Sequence, residues 1–185
     1  VIQAAAAAIL RGEVIGLPTD TVYGIGVDPM NPEAVETLFE LKGRPADKPV
    51  GVLAPSVERA AEIAELDRRA IELADRHWPG SLTLVLKPKV IMADWVGDTQ
   101  LRTVGIRVPD HPLALQLLSV TGPLAVTSAN RSGGRETMSD QEARDVFGDS
   151  VAVYLVGRAP GGRASTVVDC TGARLVVLRE GPVEI

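Results

Sequence analysis

Aromatic side chains are scarce in this 185-residue chain: two each of Phe, Tyr and Trp, 3% in all. A stacking platform for single-stranded nucleic acid needs several aromatics on one surface, so that class is set aside. Cysteine is scarcer still. Cys170 is alone, which excludes an internal disulfide and fits a reducing, cytoplasmic compartment. It lies in the apolar run Val167-Val168-Asp169-Cys170 and reads as a buried small hydrophobe rather than a nucleophile. No apolar run approaches the ~20 residues that cross a bilayer. The opening Ala4–Leu10 stretch has no basic segment before it and is no convincing signal peptide. No membrane role is expected. The chain opens at Val1 rather than Met, so a short native N-terminus is expected to be missing.

A basic excess is also absent. Nineteen Lys and Arg stand against 24 Asp and Glu, a net charge of -5. Any RNA contact must therefore come from a local patch. Acidic clusters such as Glu33, Glu36 and Glu40 read as solvated helix faces. The two histidines, His77 and His111, are isolated, so no metal site made by protein alone is expected. Standard nucleotide loops are missing. There is no Gly-x-x-x-x-Gly-Lys-Ser/Thr, and Gly24-Ile25-Gly26 lacks the third glycine of a dinucleotide fingerprint. No Gly-x-Ser-x-Gly elbow occurs.

What remains is a chain 45% hydrophobic, long enough for one domain with a core of Ala, Val, Leu and Ile. The pattern predicts helices over Gln3–Arg11, Pro32–Leu41, from Ser56 to Ala64, from Asp67 to His77, Leu113–Ser119 and from Ser139 to Phe147. Strands are predicted over Val14–Leu17, Val50–Leu53, Leu82–Lys87, Val104–Val108, Leu124–Thr127, Val151–Val156, Thr166–Cys170 and Leu175–Leu178. Helices and strands alternate, but the last strands come without helices between them. The fold class is therefore α/β, one domain with a mixed sheet.

Three polar segments stand out. Lys42-Gly43-Arg44-Pro45 offers two cations. Extended, it projects both from one face to clamp phosphate; alternatively it is a basic helix C-terminus favoured by the dipole. Ser128-Ala129-Asn130 leaves a strand's carboxyl end, where ligands bind in open α/β sheets. Ser132-Gly133-Gly134 after it is either an anion nest or a polar turn. Pro18-Thr19-Asp20-Thr21-Val22-Tyr23-Gly24 is either a site, with Tyr23 walling a pocket, or a hydroxyl-capped turn. Thr103 and Arg107 flank one strand on the same side, and Arg179 follows another apolar run. An arginine in an apolar strand is costly unless paired, so an anionic ligand is a natural partner for Arg107.

These segments join Trp78-Pro79-Gly80-x-Leu82-Thr83, Arg107-Val108-Pro109-x-His111-Pro112, Ser128-x-Asn130, Ser165-Thr166-Val167-Val168-Asp169 and Leu178-Arg179-x-Gly181, in that order. So patterned, the chain resembles the YrdC/TsaC family of threonylcarbamoyladenylate synthases, in single-domain form over residues 1–185. The resemblance implies an α/β domain with a twisted mixed sheet, flanking helices and a concave, positively charged cavity. It implies a nucleotidyltransferase that condenses L-threonine, bicarbonate and ATP to threonylcarbamoyl-AMP and pyrophosphate. The product would serve t6A modification of tRNA through proteins that receive the adenylate.

By that resemblance Lys42, Arg44, Ser128 and Asn130 form a catalytic tetrad at the nucleotide. Lys48, Thr103 and Arg179 are further ATP contacts, and Mg²⁺ travels with the ATP. Thr21, Arg107 and Ser165 bind threonine. Leu53 stands where some relatives carry His, and Lys48 where Asn is frequent. Two other readings attach to the same resemblance. One is a non-catalytic module for double-stranded RNA or tRNA. The other is a sister-branch protein of this fold acting on a different carbamoyl-type substrate.

Overall fold

Four polar side chains start helices where the sequence predicted them. In the computed structural model, which describes residues 1–43, 45 and 48–185, Asn31, Ser56, Asp67 and Ser139 each accept a backbone N–H of the first helical turn. Such caps satisfy donors that the helix itself leaves orphaned. The order is α1 (Ile2–Leu10), β1 (Ile15–Pro18), β2 (Tyr23–Val27), α2 (Pro32–Lys42), β3 (Gly51–Leu53), α3 (Val57–Ile63), β4 (Ala64–Glu65) and α4 (Arg68–His77). Then come β5 (Leu82–Pro88), β6 (Val104–Arg107), α5 (Pro112–Thr121), β7 (Leu124–Ser128), α6 (Asp140–Phe147), β8 (Val153–Tyr154), β9 (Thr166–Asp169) and β10 (Val176–Arg179).

Among the described residues the strands form one mixed sheet in the order β10-β9-β5-β6-β3-β7-β2-β1-β8, with β4 pairing β5 off this path. The pairs β1–β8, β3–β6 and β5–β9 are parallel; the others are antiparallel. One core cluster joins β2, β3, β5 and β6 to side chains of α2, α3, α4 and α6. A second joins α1 and α5 to Ile15, Leu17, Leu53 and Leu124. The uncovered remainder of the sheet forms the floor of an open cleft, reached by Thr83 and Val85 of β5 and by Gly105 and Arg107 of β6.

Burial alternates along strand β5. Leu82, Leu84 and Leu86 enter the core, while Thr83 and Val85 face the cleft. Leu84 is fully buried, and Leu84→Ala is expected to lower unfolding stability by about 2–5 kcal/mol, read from urea melts.

Two elements differ from those the sequence predicts. No strand is predicted at Tyr23–Val27, where Gly24 and Gly26 interrupt the apolar pattern. Both instead allow close strand packing: a Cβ on either would stand 2.8 Å from a methyl of Val126. Tyr23 is fully buried and donates to Leu155 O at 2.7 Å, so it is a core residue and not the expected pocket wall. The strand predicted over Val151–Val156 shrinks to two residues.

Candidate functional site

The cleft has a volume of about 570 Å³. Seven of the described strands reach it, through Gly24, Leu53, Thr83, Arg107, Ser128, Val167 and Arg179, and Ser165 lines it just before β9. Of the expected site residues, Thr21, Thr103, Arg107, Ser128, Ser165 and Arg179 line it. Lys42, Lys48 and Asn130 do not, and Arg44 lies outside the described residues.

At one corner, Lys42 closes the last turn of α2, and Gly43 follows with φ 60. A left-handed residue there suits glycine. The helix-terminus reading therefore holds for Lys42, while the clamp expected of it with Arg44 lies outside the described residues. The lysine is 3% exposed. Its Nζ donates to Ser128 O at 2.8 Å, Asn130 Oδ1 at 3.1 Å and, at a longer 3.4 Å, Ser128 Oγ. The cation thus stands behind Ser128, which faces the cleft. Asn130 gives its two amide donations to Arg131 O and Gly134 O. Tetrad members 86 and 88 residues apart in sequence meet through these bonds.

The expected anion nest is partly spent. Ser132 N donates to Lys42 O, and Gly134 N to Arg131 O. The segment is a turn that locks α2 to the end of β7. Lys48 is exposed, and its N–H donates to Pro45 O.

At the other end, Arg107 is 7% exposed. Its Nη2 donates to Asp20 Oδ1 at 2.5 Å and lies 3.4 Å from Thr21 Oγ1. The expected anionic partner of Arg107 is thus in part a carboxylate of the chain itself. Arg107 Nε is buried without a partner. A donor left so costs about 1–3 kcal/mol, a reason to look for a ligand that satisfies it. Burial lowers the Arg107 pKa, Asp20 opposes that shift, and nearby Arg179 adds to it.

Thr19 caps its own turn: its Oγ1 donates to Val22 O at 2.7 Å and accepts two backbone N–H groups. The hydroxyl-turn reading is right for Thr19, while Thr21 beside it faces the cleft. Ser165 Oγ is 2.8 Å from Thr83 Oγ1 and accepts Arg179 Nη2 at 3.1 Å; Arg179 Nε also donates to Ser165 O at 2.9 Å. Thr103 exchanges backbone bonds with Asp98 at the rim.

Sequence reasoning missed Asp20 and Thr83 as site components. Both lie inside motifs it singled out, and a lone carboxylate among three hydroxyls was the available signal for Asp20.

Cys170 is buried, as expected, and its thiol is pushed up to about 11, first by burial and then by Asp67 and Asp169. At neutral pH it should resist iodoacetamide in the native chain and react on unfolding, measured by mass; equal rates would contradict its place in the core. Among the described residues no three His, Cys, Asp or Glu side chains cluster to hold a metal, and no helix is long and apolar enough to cross a membrane.

The geometry has parallels among known proteins. A family model named Sua5_yciO_yrdC and described as "Telomere recombination" matches residues 7–181. A Mycobacterium tuberculosis protein, provisionally named a threonylcarbamoyl-AMP synthase, is 44% identical over 184 residues, covering 98% of this chain and 84% of its own length. The Bacillus subtilis protein named threonylcarbamoyl-AMP synthase is 39% identical over 184 residues, covering 97% of this chain and 53% of its own. The structure of Pyrococcus abyssi Sua5 complexed with L-threonine superposes with a TM-score of 0.90 at 37% identity, covering 97% of this chain and 54% of that one. The chain thus spans about half the length of the Bacillus and Pyrococcus relatives.

Proposed function

The chain belongs to the Sua5/YciO/YrdC family, and on that premise we propose that it is a threonylcarbamoyl-AMP synthase. It takes L-threonine, bicarbonate and ATP and releases threonylcarbamoyl-AMP and pyrophosphate. The observation that carries this reading is the division of one cleft. A guanidinium and hydroxyl cluster of Arg107, Thr21, Ser165 and Arg179 occupies one end, and Ser128 backed by Lys42 occupies another.

The amino-acid end suits threonine. Arg107 pairs with the carboxylate, and Thr21 and Ser165 hydrogen-bond the polar groups. A site built to bond a hydroxyl discriminates strongly against an analogue that lacks it. The threonine amine attacks the bicarbonate carbon, water is lost, and a carbamate forms. A carbamate oxygen attacks the α-phosphorus, the bond from that phosphorus to the bridging oxygen breaks, and pyrophosphate leaves with the electron pair. Such a transfer needs positioning and charge neutralisation rather than a nucleophilic side chain. Lys42 supplies positive charge behind Ser128, and Arg44, Lys48 and Thr103 are assigned to the nucleotide; Arg179, bonded to Ser165, is assigned to the amino-acid end. Mg²⁺ is assigned to the nucleotide's own phosphates, since no described residues form a cage for it; no step is routed through it. The adenylate then passes to t6A modification of tRNA.

The test is product identity. The purified chain with ATP, bicarbonate and L-threonine should yield a species with the mass of threonylcarbamoyl-AMP; ATP consumption without that species would contradict the assignment. Ser165→Ala should raise the threonine KM about ten-fold, the worth of one hydrogen bond, and leave the ATP KM nearly unchanged. Equal losses for both ligands would move Ser165 out of the amino-acid end.

A further inference from the structure

One cleft that takes both a triphosphate and an amino acid has to keep phosphate out of the amino-acid end. Asp20 is placed to do this. Its Oδ1 accepts Arg107 Nη2, and its Oδ2 accepts Ser81 Oγ at 3.2 Å. One oxygen is thus held from β6 and the other from the residue just before β5. The Asp20 side chain is 12% exposed, and unlike Thr19 and Thr21 it does not line the cleft. It acts through Arg107 rather than on a ligand. Of the Arg107 nitrogens, Nη2 is gripped by Asp20, whereas Nε is buried with no partner. Held on one amine, the planar guanidinium keeps its other N–H groups in a fixed direction.

Charge points the same way. Arg179 is close enough to oppose the protonation of Arg107, and Asp20 offsets this. Two cations and one part-buried anion leave a single net positive charge, which matches one carboxylate. Without Asp20 the same corner would carry two, which matches a phosphate dianion.

We propose that Asp20 is a positioning and specificity-determining residue, orienting Arg107 toward an amino-acid carboxylate while its negative charge excludes phosphate from that end of the cleft. The proposal rests on the reading of this end as the amino-acid site.

Calorimetric titration of wild-type and Asp20→Asn chains with L-threonine, inorganic phosphate and ATP tests it. Asp20→Asn keeps the side-chain shape and removes the charge. Threonine affinity should fall about ten-fold and phosphate affinity at this end, read by competition with threonine, should rise about ten-fold, with ATP affinity within about two-fold of wild type. A merely structural role would weaken both small ligands together; only the charge moves them in opposite directions. Asp20→Glu should restore exclusion of phosphate. Unchanged affinities, or parallel losses, overturn the proposal. If Asp20→Asn fails to fold by circular dichroism, Ser81→Ala carries the test, since it frees Oδ2 and keeps the charge. It should weaken threonine and leave phosphate excluded; wild-type threonine affinity in Ser81→Ala overturns the positioning role. A wild-type chain that binds ATP but no threonine removes the amino-acid reading itself, and the proposal with it.

Discussion

Lys42→Ala should lower kcat/KM for ATP-dependent pyrophosphate release by about 100-fold or more, the scale on which preorganised charge stabilises a transition state. Two effects combine. The buried cation behind Ser128 disappears, and with it the positive potential at that corner. Ser128 O and Asn130 Oδ1 also lose the donor that ties them to the end of α2. Buried acceptors so abandoned cost about 1–3 kcal/mol, so the melting midpoint should drop as well. Lys42→Arg should not rescue activity, because a planar fork cannot replace an ammonium that donates to acceptors on three sides. Steady-state kinetics beside a urea melt separate the two effects. Wild-type turnover in a folded Lys42→Ala chain would remove Lys42 from the site.

Arg107→Ala should be the most damaging change at the amino-acid end. Threonine loses its carboxylate partner, and affinity should fall about 100-fold, the cost of a lost charge-assisted pair. Stability should fall too, by about 2–4 kcal/mol, because Asp20 is left part-buried without its counter-ion. The double variant Asp20→Ala/Arg107→Ala should recover part of that stability and none of the threonine binding, since removing both charges removes the uncompensated one. Additive losses in the double variant would mean that the two side chains do not act as a pair.

The sequence carried the family and most helices because their signals are local. Asn31-Pro32, Ser56, Asp67 and Ser139 announce their helices within four residues. Motifs such as Ser128-x-Asn130 and Arg107-Val108-Pro109 single out segments that reach the cleft without any geometry. What stayed hidden depends on distant partners. Arg107 in an apolar strand implied an anion, but its protein partner Asp20 lies 87 residues earlier, where the hydroxyl-rich turn drew attention first. Lys42 fits a helix end or an extended clamp equally well by spacing, and its contacts with Ser128 and Asn130 lie 86 and 88 residues further on. Strand β2 escaped because its glycines serve the approach of Val126, a requirement set by β7 and not by β2 itself. Thr83 looked like part of an apolar strand until the alternation of β5 put it on the cleft face beside Ser165.

Pyrophosphate release by the purified chain with ATP and Mg²⁺, measured with and without L-threonine and bicarbonate, tests the synthase assignment most directly. The expected result is release that requires both threonine and bicarbonate. Release that is independent of threonine, or none at all in a chain that still binds ATP, would contradict it.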